Sequence, residues 1–194
     1  MKKVVFIIIM IFPGLLIFSQ DATVQTEKRI ISTVDSTNKK ELMLIQEFIV
    51  KVPLDAVWNA YTTKKGWESW AVAIAEVNFK INGTIRTNYN KNGKIGDSTT
   101  INLHVVNYIP KKLITLQAEL TGNFPGFIKK DQKDLYNIIY FDPLTDKTTK
   151  ITSYGIGYKN NPKYRSLMKF FISGNEMSYQ QLIAYLEKGE ITKY

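Results

Sequence analysis

Alternating apolar and polar positions divide most of the chain into strand-like runs. Two runs lie within residues 29–52, and about six more follow between residues 71 and 159. INLHVV at residues 101–106 shows the alternation, and the turn-forming pairs Asn82-Gly83 and Pro110-Lys111 separate neighbouring runs. The pattern therefore predicts about six consecutive antiparallel strands, preceded by two more.

The first two runs flank a polar stretch from Asp35 to Lys40. Asp, Ser and Asn side chains bond to their own backbone and so favour turns. The second run, residues 41–52, mixes apolar and polar residues without clean alternation, and its two faces cannot be assigned from the pattern.

Helical spacing appears in two places. Pro53 ends the second strand, and PLDAVWNAY then predicts a short helix with Asp55 near its positive end. A second short helix over residues 64–69 carries Trp67 and leads to Trp70.

The C-terminal segment, residues 161–190, predicts one long helix. Its apolar stripe comprises Leu167, Phe171, Gly174, Ser178, Leu182 and Tyr185. A sheet and an amphipathic helix each have one face to bury, so they should pack together. The predicted fold is α+β: a helix-grip arrangement in which a twisted antiparallel sheet wraps around the long C-terminal helix, with two short helices near the start.

The first residues have the layout of a secretory signal peptide. Lys2 and Lys3 precede an apolar run, and Ser19 offers a small residue at the cut. An uncleaved anchor is disfavoured because the run is short and contains Pro13. We predict a signal peptide over residues 1–19, a polar segment with a possible extra strand over 20–40, and one domain over 41–190. The mature protein would be periplasmic or secreted, with no stable membrane anchor.

The amino-acid composition excludes several kinds of catalytic and metal-binding site. The chain has no cysteine, which excludes thiol catalysis, zinc-thiolate sites and iron–sulfur clusters. The net charge is +9, but the basic residues are mostly scattered lysines rather than the arginines that read bases and grip phosphates. We therefore expect no nucleic-acid partner, no metal and no cofactor; the oligomeric state stays open.

Four motifs carry a resemblance to a known family. VPLDAVWNAYTTKKGWESW, INGTIR, IGD and NYIPKKL resemble the START-like superfamily of polyketide cyclases and birch-pollen-type allergens, and within it the branch of heat-shock ATPase activator homologues. The resemblance spans roughly residues 41–188 and implies a cavity between sheet and long helix. That branch is named for work on a cytosolic ATP-driven chaperone, a role that the predicted export argues against.

Inward-facing aromatic and aliphatic side chains with a few polar tips should line such a cavity. The candidates are Trp70, Arg86, Tyr89, Leu103, Val105, Leu116, Tyr140, Tyr154, Leu167, Met168 and Phe171. Each of them is also compatible with ordinary core. Arg86 would hold a ligand carboxylate if it points inward, or form a surface pair if it does not.

The remaining candidate residues are assigned to structural roles. Trp58 should dock the first helix on the sheet, Trp67 should be partly exposed between the two short helices, and only Trp70 should reach the cavity. His104 alternates with apolar neighbours and should point away from the core, which disfavours Ser-His-Asp catalysis. The loop over residues 121–134 is predicted to be a solvated lid or rim.

These observations favour an exported protein that binds a small hydrophobic or amphipathic, lipid-like molecule. One alternative is a cyclase- or hydrolase-like enzyme that uses cavity tyrosines and Arg86. The other is a stress or interaction protein whose core is filled by its own side chains.

Overall fold

The structure is a computed structural model that describes residues 28–120 and 124–194. The predicted signal peptide lies outside the described residues, so it stays a prediction. Among the described residues, no helix has the length and apolar character that crossing a membrane requires.

Eight strands form one antiparallel sheet, in the order β1-β2-β8-β7-β6-β5-β4-β3. The strands are β1 (Ile31–Asp35), β2 (Glu41–Val50), β3 (Ile74–Val77), β4 (Thr84–Asn88), β5 (Ile101–Ile109), β6 (Leu113–Ala118), β7 (Tyr136–Thr145) and β8 (Thr148–Lys159). The extra strand anticipated within residues 20–40 is β1, which pairs with β2 at the edge of the sheet.

Four α-helices accompany the sheet in the described chain. They are α1 (Leu54–Thr62), α2 (Lys64–Trp70), α3 (Gly126–Asp131) and α4 (Pro162–Lys188). The side chain of Asn161 accepts a hydrogen bond from the backbone N–H of Tyr164 at 3.1 Å and caps the start of α4. Gly189, with φ of 70°, ends it. The helix-grip fold predicted from the sequence is confirmed.

Strand β2 does alternate, although its sequence obscures the pattern. Leu42, Leu44, Gln46, Phe48 and Val50 are all buried and point to the face of the sheet that meets α4, here called the inner face. The sequence looks mixed because polar Gln46 lies on the inner face, while apolar Met43, Ile45 and Ile49 lie on the other face.

The core consists of two hydrophobic clusters. The first joins the inner face to α1, α2 and the C-terminal half of α4, with Val57 and Leu182 fully buried in it. The second, which lies at the N-terminal half of α4, consists of Leu42, Leu44, Ile128, Leu135, Tyr164 and Met168. As predicted, Trp58 docks α1: its ring meets that of Phe141 edge-on, with 5.8 Å between centroids.

The solvated lid or rim predicted at residues 121–134 is more ordered than expected in the part that the structure describes. This part forms α3, followed by a 3-10 turn at Gln132–Asp134. Ile128 is fully buried in the second cluster, and the Phe127 ring packs edge-on against Tyr164. Two apolar residues between Pro125-Gly126 and the pair Lys129-Lys130 were too short a signal to predict a helix.

Candidate functional site

A cavity of about 250 Å³ lies between the inner face of the sheet, the two short helices and α4. Its wall is mainly aromatic and aliphatic, with several hydroxyl and amide groups. The lining residues are Tyr61, Trp67, Trp70, Ala71, Tyr89, Leu103, Leu116, Ala118, Leu120, Ile128, Leu135, Tyr136, Asn137, Ile139, Tyr158, Phe171, Asn175, Ser178 and Tyr179.

Two tryptophans of α2 form one end of the cavity, and α1 holds both of them. Trp67 Nε1 donates a hydrogen bond to the Tyr61 carbonyl at 2.7 Å, and Trp70 Nε1 donates one to the Ala60 carbonyl at 3.0 Å. Carbonyls in the last turn of a helix have no intrahelical partner, so the indoles satisfy groups that would otherwise be unpaired. The two rings stack with centroids 5.5 Å apart.

A glycine makes this close approach of α1 and α2 possible. A Cβ built at Gly66 would lie 2.5 Å from the backbone oxygens of Asn59 and Ala60. Any side chain there would separate the helices. The GWESW segment therefore places both indoles against the end of α1 only because residue 66 is glycine.

The structure corrects the prediction for Trp67. This residue was expected to be partly exposed, but it is 7% exposed and lines the cavity beside Trp70. Its indole N–H turns inward because an α1 carbonyl accepts from it.

Tyrosine hydroxyls supply most of the polarity of the wall. Burial raises the pKa of Tyr158 and of Tyr179 to about 12, and it raises the pKa of Tyr61 well above its ordinary value of 10. These phenols therefore stay protonated at neutral pH and act as hydrogen-bonding groups rather than as bases. Within the described chain, the hydroxyl of Tyr61 is buried without a hydrogen-bond partner.

The two lining amides are held by the protein. Asn137 Nδ2 donates to Ser153 Oγ at 2.7 Å, and Asn175 Nδ2 donates to Gln46 Oε1 at 2.8 Å. Gln46 in turn donates to Ser32 of β1 at 3.0 Å. The Asn175–Gln46 bond fixes α4 to the inner face, and the Asn137–Ser153 bond joins β7 to β8, so the amides shape the wall more than they offer free donors.

The remaining described wall is uncharged. No lining side chain of the described chain is Asp, Glu, Lys, Arg or His. Tyr89 marks the opening, since it is 54% exposed, and its ring meets that of Tyr194 edge-on at 6.1 Å.

Five of the residues predicted from the sequence lie on the cavity wall. They are Trp70, Tyr89, Leu103, Leu116 and Phe171.

Three predicted residues lie on the opposite face of the sheet. Arg86 follows buried Ile85 and forms a surface ion pair with Glu76 at 3.0 Å. This is the surface pair that was predicted as the alternative to ligand binding. Tyr140 and Tyr154 pack their rings edge to face at 6.0 Å across β7 and β8. Successive residues of a strand point to opposite faces of the sheet, so an error of one residue is enough to assign a side chain to the wrong face. All three residues were predicted to point inward for this reason.

Val105, Leu167 and Met168 were predicted to line the cavity, but they do not. Val105 is fully buried in the first cluster, Met168 is buried in the second, and Leu167 packs against the second. All three side chains pack in the hydrophobic clusters and do not face the cavity.

The sequence missed several lining residues on α4. The predicted stripe ran through Gly174, whereas Asn175 and Tyr179 face the cavity. Counting from Phe171 in steps of four and three gives 175 and 178, so a strict helical count would have found Asn175. Tyr61 was recognised as part of the apolar stripe of α1, but it was interpreted as a core residue.

His104 points outward, as predicted. Its Nε2 lies 2.7 Å from Glu119 Oε1 on the outer face of the sheet, opposite the face that carries its neighbour Leu103 and the cavity. Among the described residues, no group of three or more His, Asp or Glu side chains is placed to hold a metal ion.

Comparison with known proteins identifies the architecture. Residues 51–187 match the family model described as Activator of Hsp90 ATPase homolog 1-like protein. No curated protein matches the chain significantly.

Solved structures share the fold at low identity. A conserved protein of unknown function from Enterococcus faecalis is 12% identical, covers 83% of this chain and 80% of its own, and has a TM-score of 0.59. The Aha1 dimer from Colwellia psychrerythraea is 16% identical over 76% and 97%, with a TM-score of 0.58. CalU16 from Micromonospora echinospora is 11% identical over 82% and 87%, with a TM-score of 0.57. At these identities the similarity establishes a shared fold alone.

Proposed function

The chain belongs to the family of Activator of Hsp90 ATPase homolog 1-like proteins, and we propose that it binds a small hydrophobic or amphipathic molecule in the cavity between the sheet and α4. The observation that carries the proposal is the cavity itself. Its wall is largely apolar and aromatic, with a few hydroxyl groups, which is the usual composition of a small-molecule site.

The volume bounds the size of the molecule. An apolar cavity of about 150 Å³ holds a single benzene ring, and sites for drug-sized ligands begin at roughly 300 Å³. The cavity of about 250 Å³ lies between the two. A molecule of one or two rings, or a short branched chain, is therefore the expected occupant.

Binding is favoured over catalysis by the charge of the wall. A general base near neutral pH needs a group that titrates in that range. The lining side chains of the described chain include no Asp, Glu, Lys or His, and burial raises the pKa of Tyr158 and of Tyr179 to about 12, so these two phenols stay protonated. Arg86, which the enzyme alternative needs, is paired on the outer face. The alternative of a filled core is disfavoured by the volume of the cavity.

Intrinsic fluorescence tests the proposal, because Trp67 and Trp70 form part of the wall. A neutral bicyclic aromatic probe should quench or shift this emission and raise the melting temperature of the wild-type protein. Native mass spectrometry of freshly purified protein should show a bound hydrophobic or amphipathic molecule of this size.

The matched variants are Ala118→Phe, which fills the cavity from the end of β6, and Tyr140→Phe on the outer face. Ala118→Phe should remain folded by circular dichroism and lose the probe response, while Tyr140→Phe should keep it. An unchanged response in Ala118→Phe would place binding elsewhere and contradict the proposal.

Export is a separate part of the proposal and rests on the first nineteen residues alone. If the chain carries a signal peptide, the mature protein recovered outside the cytoplasm should begin at Gln20. N-terminal sequencing checks this. A cytoplasmic protein that retains Lys2 and Lys3 would contradict it.

A further inference from the structure

We propose that Tyr61 is the specificity-determining residue of the cavity, where its hydroxyl donates a hydrogen bond to an oxygen atom of a neutral ligand. The inference rests on the proposed function and names the chemistry of the molecule that the cavity selects. Its starting point is that the Tyr61 hydroxyl is buried and finds no hydrogen-bond partner in the part of the chain that the structure describes.

The two indoles and the two amides of the same wall are satisfied by the protein. Both indole N–H groups bond to carbonyls of α1. Asn137 bonds to Ser153, and Asn175 bonds to Gln46. A buried polar group without a partner lowers stability, and native structures contain few of them. Among the described lining residues, the Tyr61 hydroxyl is the fully buried side-chain polar group that has no partner within the chain.

The ring of Tyr61 has no freedom to turn its hydroxyl to solvent. It packs against Trp70 and Phe141, with centroids 5.3 Å away in both cases, and the residue is 2% exposed. Because the ring is held on both sides, the position of its hydroxyl is set before a ligand arrives. A preorganised donor of this kind favours ligands whose acceptor meets it.

The uncharged wall restricts the ligand to neutral molecules. A carboxylate or an ammonium group would lose its hydration in the cavity, and no lining side chain of the described chain carries an opposite charge to compensate. The expected class is a neutral molecule of one or two rings that presents a carbonyl or similar oxygen to Tyr61.

Three probes of nearly equal shape test the inference. 2-Acetylnaphthalene offers a carbonyl oxygen, 2-isopropenylnaphthalene replaces that oxygen by a CH₂ group, and 2-naphthoate carries a charge. Affinities are measured by tryptophan fluorescence and calorimetry for the wild type, for Tyr61→Phe and for the outer-face control Tyr140→Phe. The wild type should bind the ketone about fivefold more tightly than the alkene, which corresponds to one net hydrogen bond of ~1 kcal/mol. Naphthoate should bind at least roughly tenfold more weakly than the ketone.

The variants decide the role of Tyr61. Tyr61→Phe should lose the preference for the ketone and should melt at the same temperature as the wild type or higher, because it removes an unpaired buried hydroxyl. Tyr140→Phe should keep the preference. A merely structural tyrosine would change the melting temperature without changing the ratio of the two affinities.

Failure of the inference is distinguishable from failure of the proposed function. If ketone and alkene bind the wild type equally, or if the preference survives in Tyr61→Phe, the inference is overturned while binding stands. If naphthoate binds as tightly as the ketone, the restriction to neutral ligands is overturned. If neither neutral probe binds, the proposed function itself fails.

Discussion

Two buried tyrosines show how differently the two ends of α4 are built. Tyr164, in the second cluster, donates its hydroxyl hydrogen to Asp131 at 2.8 Å, and Asp131 also accepts from Lys159 at 2.7 Å. Tyr61, on the cavity wall, is buried to the same degree but has no partner among the described residues. A buried hydroxyl with a partner is part of the structure, whereas one without a partner marks a place that a ligand can complete.

The largest difference in stability between the two ends of α4 is expected when one apolar side chain is truncated at each end. Met168→Ala opens a new hole in the second cluster at a side chain that does not line the cavity, and it should lower the free energy of unfolding by ~3 kcal/mol. Leu116→Ala enlarges a cavity that already exists, so fewer packing contacts are lost and the cost should be smaller. Chemical denaturation measures both. An equal or larger loss for Leu116→Ala would mean that the cavity is not open in the folded protein.

Removing the hydrogen-bonded hydroxyl of Tyr164 should lower the free energy of unfolding by less than Met168→Ala does, but by a measurable amount. Tyr164→Phe deletes a hydrogen bond to a carboxylate and should lower the free energy of unfolding by ~2 kcal/mol. The same denaturation experiment checks it. A neutral effect would show that Asp131 is fully satisfied by Lys159 and that the tyrosine bond adds nothing.

The acid dependence of stability should also separate the two ends. The hydrogen bond from Lys159, followed by that from Tyr164, lowers the pKa of Asp131 below its ordinary value of 3.8. A lowered carboxyl pKa contributes stability that is present above 3.8 and is lost as pH falls toward the folded-state value. Asp131→Asn should therefore flatten the decline of stability with acid in this window, as followed by thermal melts at stepped pH. An unchanged slope would place the acid sensitivity elsewhere.

The smallest change in the free energy of unfolding is expected for the replacement of Tyr61. Without a ligand, Tyr61→Phe should leave the free energy of unfolding unchanged or raise it by up to ~1 kcal/mol, because the deleted hydroxyl has no partner to lose. Thermal melts of the ligand-free protein check this against Tyr140→Phe. A clear loss of stability in Tyr61→Phe would mean that the hydroxyl is satisfied after all, for instance by an ordered water.

The residues that the sequence predicted well are those whose roles depend on local pattern. Pro53 places the start of the first short helix, and the alternation around His104 places that side chain on the outer face. Prediction failed where register decided the answer. One position separates Gly174 from Asn175 on the helix, and one position separates Arg86 from buried Ile85 on the strand. A shift of one residue changes the face but barely changes the pattern.

Local sequence pattern was enough to predict the antiparallel sheet, the two short helices, the long C-terminal helix and the family, but it missed α3. Periodicity, turn residues and helix ends are properties of neighbouring residues, so they can be recognised along the chain. The full set of side chains that enclose the cavity, and the satisfaction of their polar groups, became known from the tertiary structure. Trp67 is buried because a carbonyl of α1 accepts its N–H. Tyr61 is unpaired because no strand or helix of the described chain brings an acceptor to its hydroxyl, and that depends on distances between segments far apart in sequence.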